Sequence, residues 1–137
     1  MRNINEIIIH CADTKITQSF SIDDVRSWHT DPKPRGRGWS DVGYHYYIRL
    51  NGNIELGRPV ERSGAHAYKH NANSIGVCFE GGKMSDGSKW TFPLGAQLKP
   101  FEELKKALFL VFGELKISGH YEYSSKTCPN FDVKLLK

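Results

Sequence analysis

The chain has 137 residues, 39% of them hydrophobic and 25% charged, with a formal charge of +4 and a pI near 9.0. That length is one domain, 1–137, able to bury roughly two thirds of its unfolded surface. Three cysteines cannot all pair within one molecule, so no disulfide framework is implied, and the longest apolar run, Ala107–Phe112, is far short of a membrane span.

Glu6 to Cys11 reads as a buried strand carrying His10 near its end, with that imidazole facing away from Ile9 and Cys11. Ser21, with Asp24 three residues later, resembles a capping box that opens a short helix, and Ile22, Val25 and Trp28 supply its apolar stripe. Asp31 to Gly38 is a Pro/Gly/Arg loop. Tyr44 to Leu50 and Ile54 to Arg58 read as two strands joined by a two-residue turn at Asn51-Gly52. Ser74 to Glu80 is a further apolar strand, followed by a polar turn from Gly81 to Lys89. Pro100 is expected to open the one long helix, with Phe101, Leu104, Leu108, Val111 and Phe112 on its core stripe. Glu102 and Lys106 stand i, i+4 on the outer face, and Gly113 ends the helix. A last strand, Lys116 to Gly119, delivers His120, and Asp132 caps a short C-terminal helix. No repeat or internal linker interrupts this order. The fold class is α/β: a single domain with a central mixed β-sheet flanked by helices.

The basic balance suits an anionic polymer such as a bacterial wall, and equally a scattered surface excess. Nucleic acid is not expected, because no Lys/Arg run interleaved with aromatics occurs; Lys33, Arg35 and Arg37 form only a small basic loop. Cys11 and Cys78 read as small buried hydrophobes, whereas Cys128 lies in a polar loop between Lys126 and Pro129. The start, Met1 to Glu6, runs into a strand without an apolar signal-peptide core. The expectation is a monomer made in the cytoplasm, not inserted in a membrane, that reaches a wall polymer after lysis or by a dedicated exporter.

His10, His120 and Cys128 together have the composition of a three-ligand zinc site with a fourth position left open. Spacing alone is weak support, because a His and a Cys eight residues apart occur by chance. Order and context carry more. Ile9-His10-Cys11, Val25-Arg26-Ser27-Trp28-His29 and Gly38-Trp39-Ser40-Asp41-Val42-Gly43-Tyr44-His45 follow one another along the chain. Gly57-Arg58, Gly64-Ala65-His66-Ala67, Asn73-Ser74-Ile75-Gly76 and Lys126-Thr127-Cys128-Pro129 complete the series. The series resembles the type 2 N-acetylmuramoyl-L-alanine amidases, which include the peptidoglycan recognition proteins and, with the strongest likeness, the phage lysozyme-type amidases.

That resemblance implies a zinc-dependent hydrolase cleaving the amide between N-acetylmuramic acid and the L-alanine of the stem peptide, with peptidoglycan as substrate. It implies Zn2+ on His10, His120 and Cys128, with the metal polarising the scissile carbonyl and activating water. It places Tyr44 and Lys126 at the water and the oxyanion, and His66 at the rim of the cleft. Arg58 and Asn73 are candidates for contacts to peptide carbonyls or carboxylates. His29, His45 and His70 gain no role from it, and His45, next to Tyr44, should face the opposite side of the sheet. Two other functions fit the same residues. A non-catalytic peptidoglycan-binding module would usually lack the cysteine ligand, which is present; a Cys–His peptidase would use Cys128 as nucleophile and need no metal.

Overall fold

A computed structural model describes residues 2–136. Its centre is a five-stranded sheet in the order β4-β3-β5-β1-β7, made of β1 (Glu6–Cys11), β3 (Tyr46–Ile48), β4 (Ile54–Leu56), β5 (Ser74–Phe79) and β7 (Lys116–Gly119). β1 pairs in parallel with both β5 and β7, β3 pairs in parallel with β5, and only the edge strand β4 is antiparallel. A two-stranded sheet, β2 (Thr14–Lys15) with β6 (Gly82–Lys83), continues β1 and β5 beyond their ends.

The central position explains why β1 and β5 lack clean polar alternation: every residue of both strands is buried. A parallel strand covered on both faces reads as a continuous apolar run. Ile7, Ile9, Cys11, Ile75, Val77 and Phe79 pack on one face, beneath α2 (Gly95–Phe112). Tyr47 and Cys78 pack on the other with Val42 and with Ile22 and Val25 of α1 (Ile22–Thr30). His10 alternates with Ile9 and Cys11, so it belongs to the α1 face. The Ser21–Asp24 capping box forms at α1, but Trp28 leaves the apolar stripe: it is 38% exposed and packs edge-on against Phe20.

The hairpin between β3 and β4 is wider than the expected two-residue turn. Ile48 pairs with Ile54, the Gly52 amide donates to the Arg49 carbonyl, and the Arg49 amide donates to the Asn53 carbonyl. Gly52 takes φ +94°, which makes a three-residue loop closed by a glycine in the left-handed region. Tyr44 therefore precedes the strand instead of lying within it.

α2 begins five residues before Pro100, which sits inside it. Its start is fixed by Gln97, whose Oε1 accepts from the Leu94 amide while its Nε2 donates to the carbonyls of Ile48 and Glu80. Pro100 has no N–H for the Ala96 carbonyl. Gly52 packs there so closely that a Cβ would lie 2.4 Å from that oxygen. Phe101 and Leu108 are buried as expected; Val111 is 70% exposed and leaves the stripe. Glu102 pairs with Lys105 at 3.0 Å, not with Lys106. Gly113 at φ +85° ends the helix, and Asp132 caps a short 3-10 turn at Val133–Leu135. Among the described residues no helix is long and apolar enough to cross a membrane.

His45 ties β3 to β5 from the α1 face. Its Nδ1 accepts from the Gly76 amide and its Nε2 lies 2.8 Å from the Arg62 carbonyl, a pattern that needs the neutral ring. Burial pushes His45 from 6.5 down to about 4. The unfolded chain therefore binds more protons between those values, so stability is complete above about 6.5 and is lost as pH falls toward 4. The thermal midpoint should drop over that interval, and His45→Gln should make the drop shallower. Calorimetry across the interval checks this; equal slopes in both proteins would remove His45 as a source.

Candidate metal centre

β1 and β7 run side by side, and the residue that follows their last register pair on each is a histidine: His10 after Ile9, and His120 after Gly119. The two imidazole centroids lie 4.6 Å apart. The strand becomes a 3-10 turn at His120–Glu122, with the Glu122 carboxylate accepting from the Gly119 amide at 2.8 Å. Gly119 is required at this corner, because a Cβ would lie 2.4 Å from the Tyr121 ring.

The segment carrying Cys128 returns across the same edge. Its carbonyl accepts from the Tyr121 amide at 2.9 Å, and the following Pro129 carbonyl accepts from the Trp90 indole at 2.9 Å. Asn130, at φ +69°, donates to Asp13 and to the Gly82 carbonyl. Clamped in this way, the Cys128 sulfur sits 3.9 Å from His10 Nδ1. One donor atom from each of His10, His120 and Cys128 lies within 4.8 Å of the others.

The donors are chemically prepared for a cation. Hydrogen bonding from the Cys11 thiol lowers Cys128 against the opposing effect of burial, and the net shift favours a thiolate. The Cys11 amide also points at that sulfur, at 3.3 Å. Burial lowers His10, so its ring is neutral and can offer a lone pair. Two imidazoles and a thiolate fit zinc, with a fourth position open toward the cleft.

His66 lies behind His10 and is only 8% exposed. Its Nδ1 is 2.8 Å from His10 Nε2, its Nε2 is 3.3 Å from the Ser74 hydroxyl, and that hydroxyl donates to the His70 carbonyl at 2.7 Å. Both ring nitrogens are thus engaged inward. Tyr44 is half-buried, with its ring 5.0 Å from that of His10. Burial, then the neighbouring cysteines, pushes its phenol up, which keeps the proton on the oxygen. Lys126 is exposed on the opposite wall of a cleft of roughly 650 Å³ that also reaches Tyr44, His120 and Cys128.

Four of the six expected site residues, Tyr44, His120, Lys126 and Cys128, therefore line one cleft, while His10 lies buried beside it against His66, which borders an adjoining cavity. Arg58 does not face a ligand: its guanidinium donates to the carbonyls of Val42, Ser63 and Asp41. Asn73 donates to the Asn3 carbonyl, and His70 stacks on Tyr123 at 3.9 Å. Sequence reasoning missed two neighbours. Cys11, taken as a plain hydrophobe, touches the Cys128 sulfur. His29 stands in the cleft wall, 5.5 Å from the Tyr44 ring, with Nδ1 accepting from the Gly43 amide. Burial, then Arg37 and Arg58, holds His29 at about 4. Its one sequence signal was its place at the end of an amphipathic helix, just before the Gly-Trp segment.

Known proteins share this sequence pattern and fold. A family model described as N-acetylmuramoyl-L-alanine amidase matches residues 1–131. The endolysin of Escherichia phage T7 is 36% identical over 128 residues, covering 93% of this chain and 82% of that protein. The endolysin of Klebsiella phage KP32 is 33% identical over 130 residues, covering 95% and 83%. Among solved structures, the endolysin amidase LysCS of Clostridium intestinale superposes with a TM-score of 0.82 at 27% identity, covering 99% of this chain and 82% of that one.

Purified protein should carry about one zinc per chain. Cys128→Ser should lose it, whereas Cys78→Ser, altering a sulfur buried between sheet and α1, should keep it. Elemental analysis of the folded variants decides. Full zinc in Cys128→Ser would remove that residue from the ligand set.

Proposed function

This chain belongs to the N-acetylmuramoyl-L-alanine amidase family and is an amidase acting on peptidoglycan, and from that premise we propose that its activity depends on zinc held by His10, His120 and Cys128. The observation that carries this reading is the convergence of three donor atoms within 4.8 Å at the floor of the cleft. The bond cleaved is the amide joining the lactyl group of N-acetylmuramic acid to L-alanine. When bound, zinc supplies Lewis-acid polarisation and a water of lowered pKa.

The chain's own residues do the rest. His10 donates from Nε2–H to His66 Nδ1, His66 donates from Nε2–H to Ser74 Oγ, and the Ser74 hydroxyl donates to the His70 carbonyl. That run of donors fixes the His10 tautomer with the Nδ1 lone pair turned toward Cys128, so His66 acts as a positioning residue. The Cys11 amide steadies the sulfur of Cys128. Tyr44 keeps a phenolic proton that can be donated to the oxygen of a tetrahedral intermediate. Lys126, exposed at the cleft wall, offers positive charge to the same oxyanion. The domain 1–137 acts as one unit, as a monomer.

A Cys–His peptidase is disfavoured because the Cys128 sulfur is surrounded by two imidazoles and an amide, a ligand's setting rather than that of a nucleophile paired with one base. A strong chelator should abolish activity and added zinc restore it; activity that survived complete metal removal would overturn the proposal. Digested muropeptides should show new L-alanine amines and no new reducing sugar ends. Reducing ends without amines would mean a glycosidase. Tyr44→Phe should keep zinc and fold while lowering turnover on the order of 10²-fold; an unchanged rate would return Tyr44 to a packing role.

A further inference from the structure

Cys11 and Cys128 meet where β1 outruns β7. The last register pair of those two strands is Ile9 with Gly119, whereas β1 continues to Cys11 against β5. The Ala12 amide donates to the Phe79 carbonyl on the β5 side, so the Cys11 amide points to the side that β7 has left. The Cys128 sulfur takes the place of the missing strand. It accepts that amide at 3.3 Å and stands 3.9 Å from the Cys11 carbonyl oxygen. An N–Cα bond is about 1.46 Å, so the sulfur lies at most about 4.8 Å from the Cys11 Cα. The Cys11 thiol also hydrogen-bonds to it.

Both residues line the main cleft, so a small reagent reaches them from the substrate side. Cys128 is half-buried and Cys11 buried, which makes Cys128 the first to be met. Cys78 is fully buried on the other face of the sheet with Val42 and Tyr47, and it does not line the cleft. The loop carrying Cys128 is clamped by the Tyr121 amide, the Trp90 indole and Asn130, none of them a metal donor. The pair therefore stays together whether or not a metal is bound.

Resting on the zinc reading above, we propose that Cys11 and Cys128 form a redox pair, in which a disulfide between them and zinc on Cys128 exclude one another. The oxidant is a small disulfide, RS–SR. The Cys128 sulfur attacks it, forming a mixed disulfide and releasing one RSH; the Cys11 sulfur then displaces the second RSH and closes the Cys11–Cys128 bond. One S–S bond breaks and one forms, the two thiol protons leave on the two RSH, and the cysteines lose the two electrons that the reagent gains. The Cys128 sulfur no longer offers an anionic donor, and His10 with His120 leaves two ligands where a zinc site of this kind needs three. Zinc on that sulfur in turn occupies the electron pair that the exchange requires.

The whole protein, metal-free or zinc-loaded, is treated with oxidised glutathione and its remaining thiols are alkylated. Digested peptides are read by mass spectrometry, and zinc is measured on the same samples. The metal-free parent should yield the Cys11 peptide linked to the Cys128 peptide, with Cys78 alkylated. Zinc at about a hundred times its dissociation constant should slow that link roughly a hundredfold. The linked protein should bind zinc only after reduction with dithiothreitol. Cys11→Ser, whose hydroxyl can still donate to the sulfur, should bind zinc when reduced and, when metal-free, stop at a glutathione adduct on Cys128. A metal-free parent that stops at the same adduct, links Cys78 instead or is not oxidised overturns the pair. Zinc retained by the linked form overturns the exclusion. Failure of the reduced parent to bind zinc, with the link still forming, would instead overturn the zinc reading.

Discussion

Parallel pairing of β1 with β7, in the register that sets Ile9 beside Gly119, is what makes a metal centre possible in this chain. β7 ends at that level while β1 runs on to Cys11 against β5, so the next residue of each, His10 and His120, lies at the carboxyl edge of the sheet, where ligands of open α/β sheets collect. A one-residue slip would send His10 to the α2 face among Ile7, Ile9 and Phe79. The register is held strongly because β1 is central: six pairs join it to β5 and four to β7, and its alternate residues are apolar on the α2 face. Glu6 secures the other end, with its buried carboxylate accepting from the Ser118 and Tyr123 hydroxyls. Two polar ends and an apolar middle leave the strand one way to lie.

Burying this donor set is costly, and the surroundings show how the cost is offset. His10 is 1% exposed and His66 8%, and both are driven neutral by burial. Each inward nitrogen has a partner, ending at a backbone carbonyl, so no polar atom of that row is left unpaired. Cys128 presents the opposite case, a sulfur favoured as thiolate in a half-buried site. Its surroundings already favour the anion, a cation held there would add to that, and coupling of that kind makes metal affinity and folding one free energy. The inward half of the site is thus satisfied by protein, and the outward half is left for metal and substrate.

Much of this was legible before any coordinates, for identifiable reasons. Strands β1 and β5 announce themselves as apolar runs, α1 by its capping box, and the candidate ligands by residue type and order. What failed were features decided by tertiary partners. Pro100 suggests a helix start, but Gln97 reaches two strand-end carbonyls and makes an earlier start better than the local rule. Asn51-Gly52 suggests a two-residue turn, but the Arg49–Asn53 pair and a left-handed Gly52 make a wider one. Trp28 falls on the apolar stripe by period, yet the cleft beside α1 leaves it half in solvent. Arg58 looks like a substrate contact because an arginine after a strand is free to point outward, whereas here three carbonyls claim it. Cys11 and His29 are hidden for the converse reason: their chemistry comes from neighbours distant in sequence.

The division of labour within the cleft follows from how rigid each support is. The candidate metal donors stand on β1, on the turn closing β7 and on a loop clamped by Trp90 and Asn130, supports rigid enough for chemistry that tolerates little positional error. A loop on the cleft wall tolerates more, and the connection after α1 is one. Lengthening such a connection costs little, since closure entropy grows only slowly with length. Three backbone hydrogen bonds back to the helix end and the corner at Gly36 recover order in loop 31–38 without touching the core. A loop of that kind can change its charge while leaving the sheet register, and hence the metal centre, as it was. The net charge of +4 is in this sense only partly a surface average: at the cleft, where acidic side chains are nearly absent, it becomes a local potential that a carboxylate-bearing peptide would meet first.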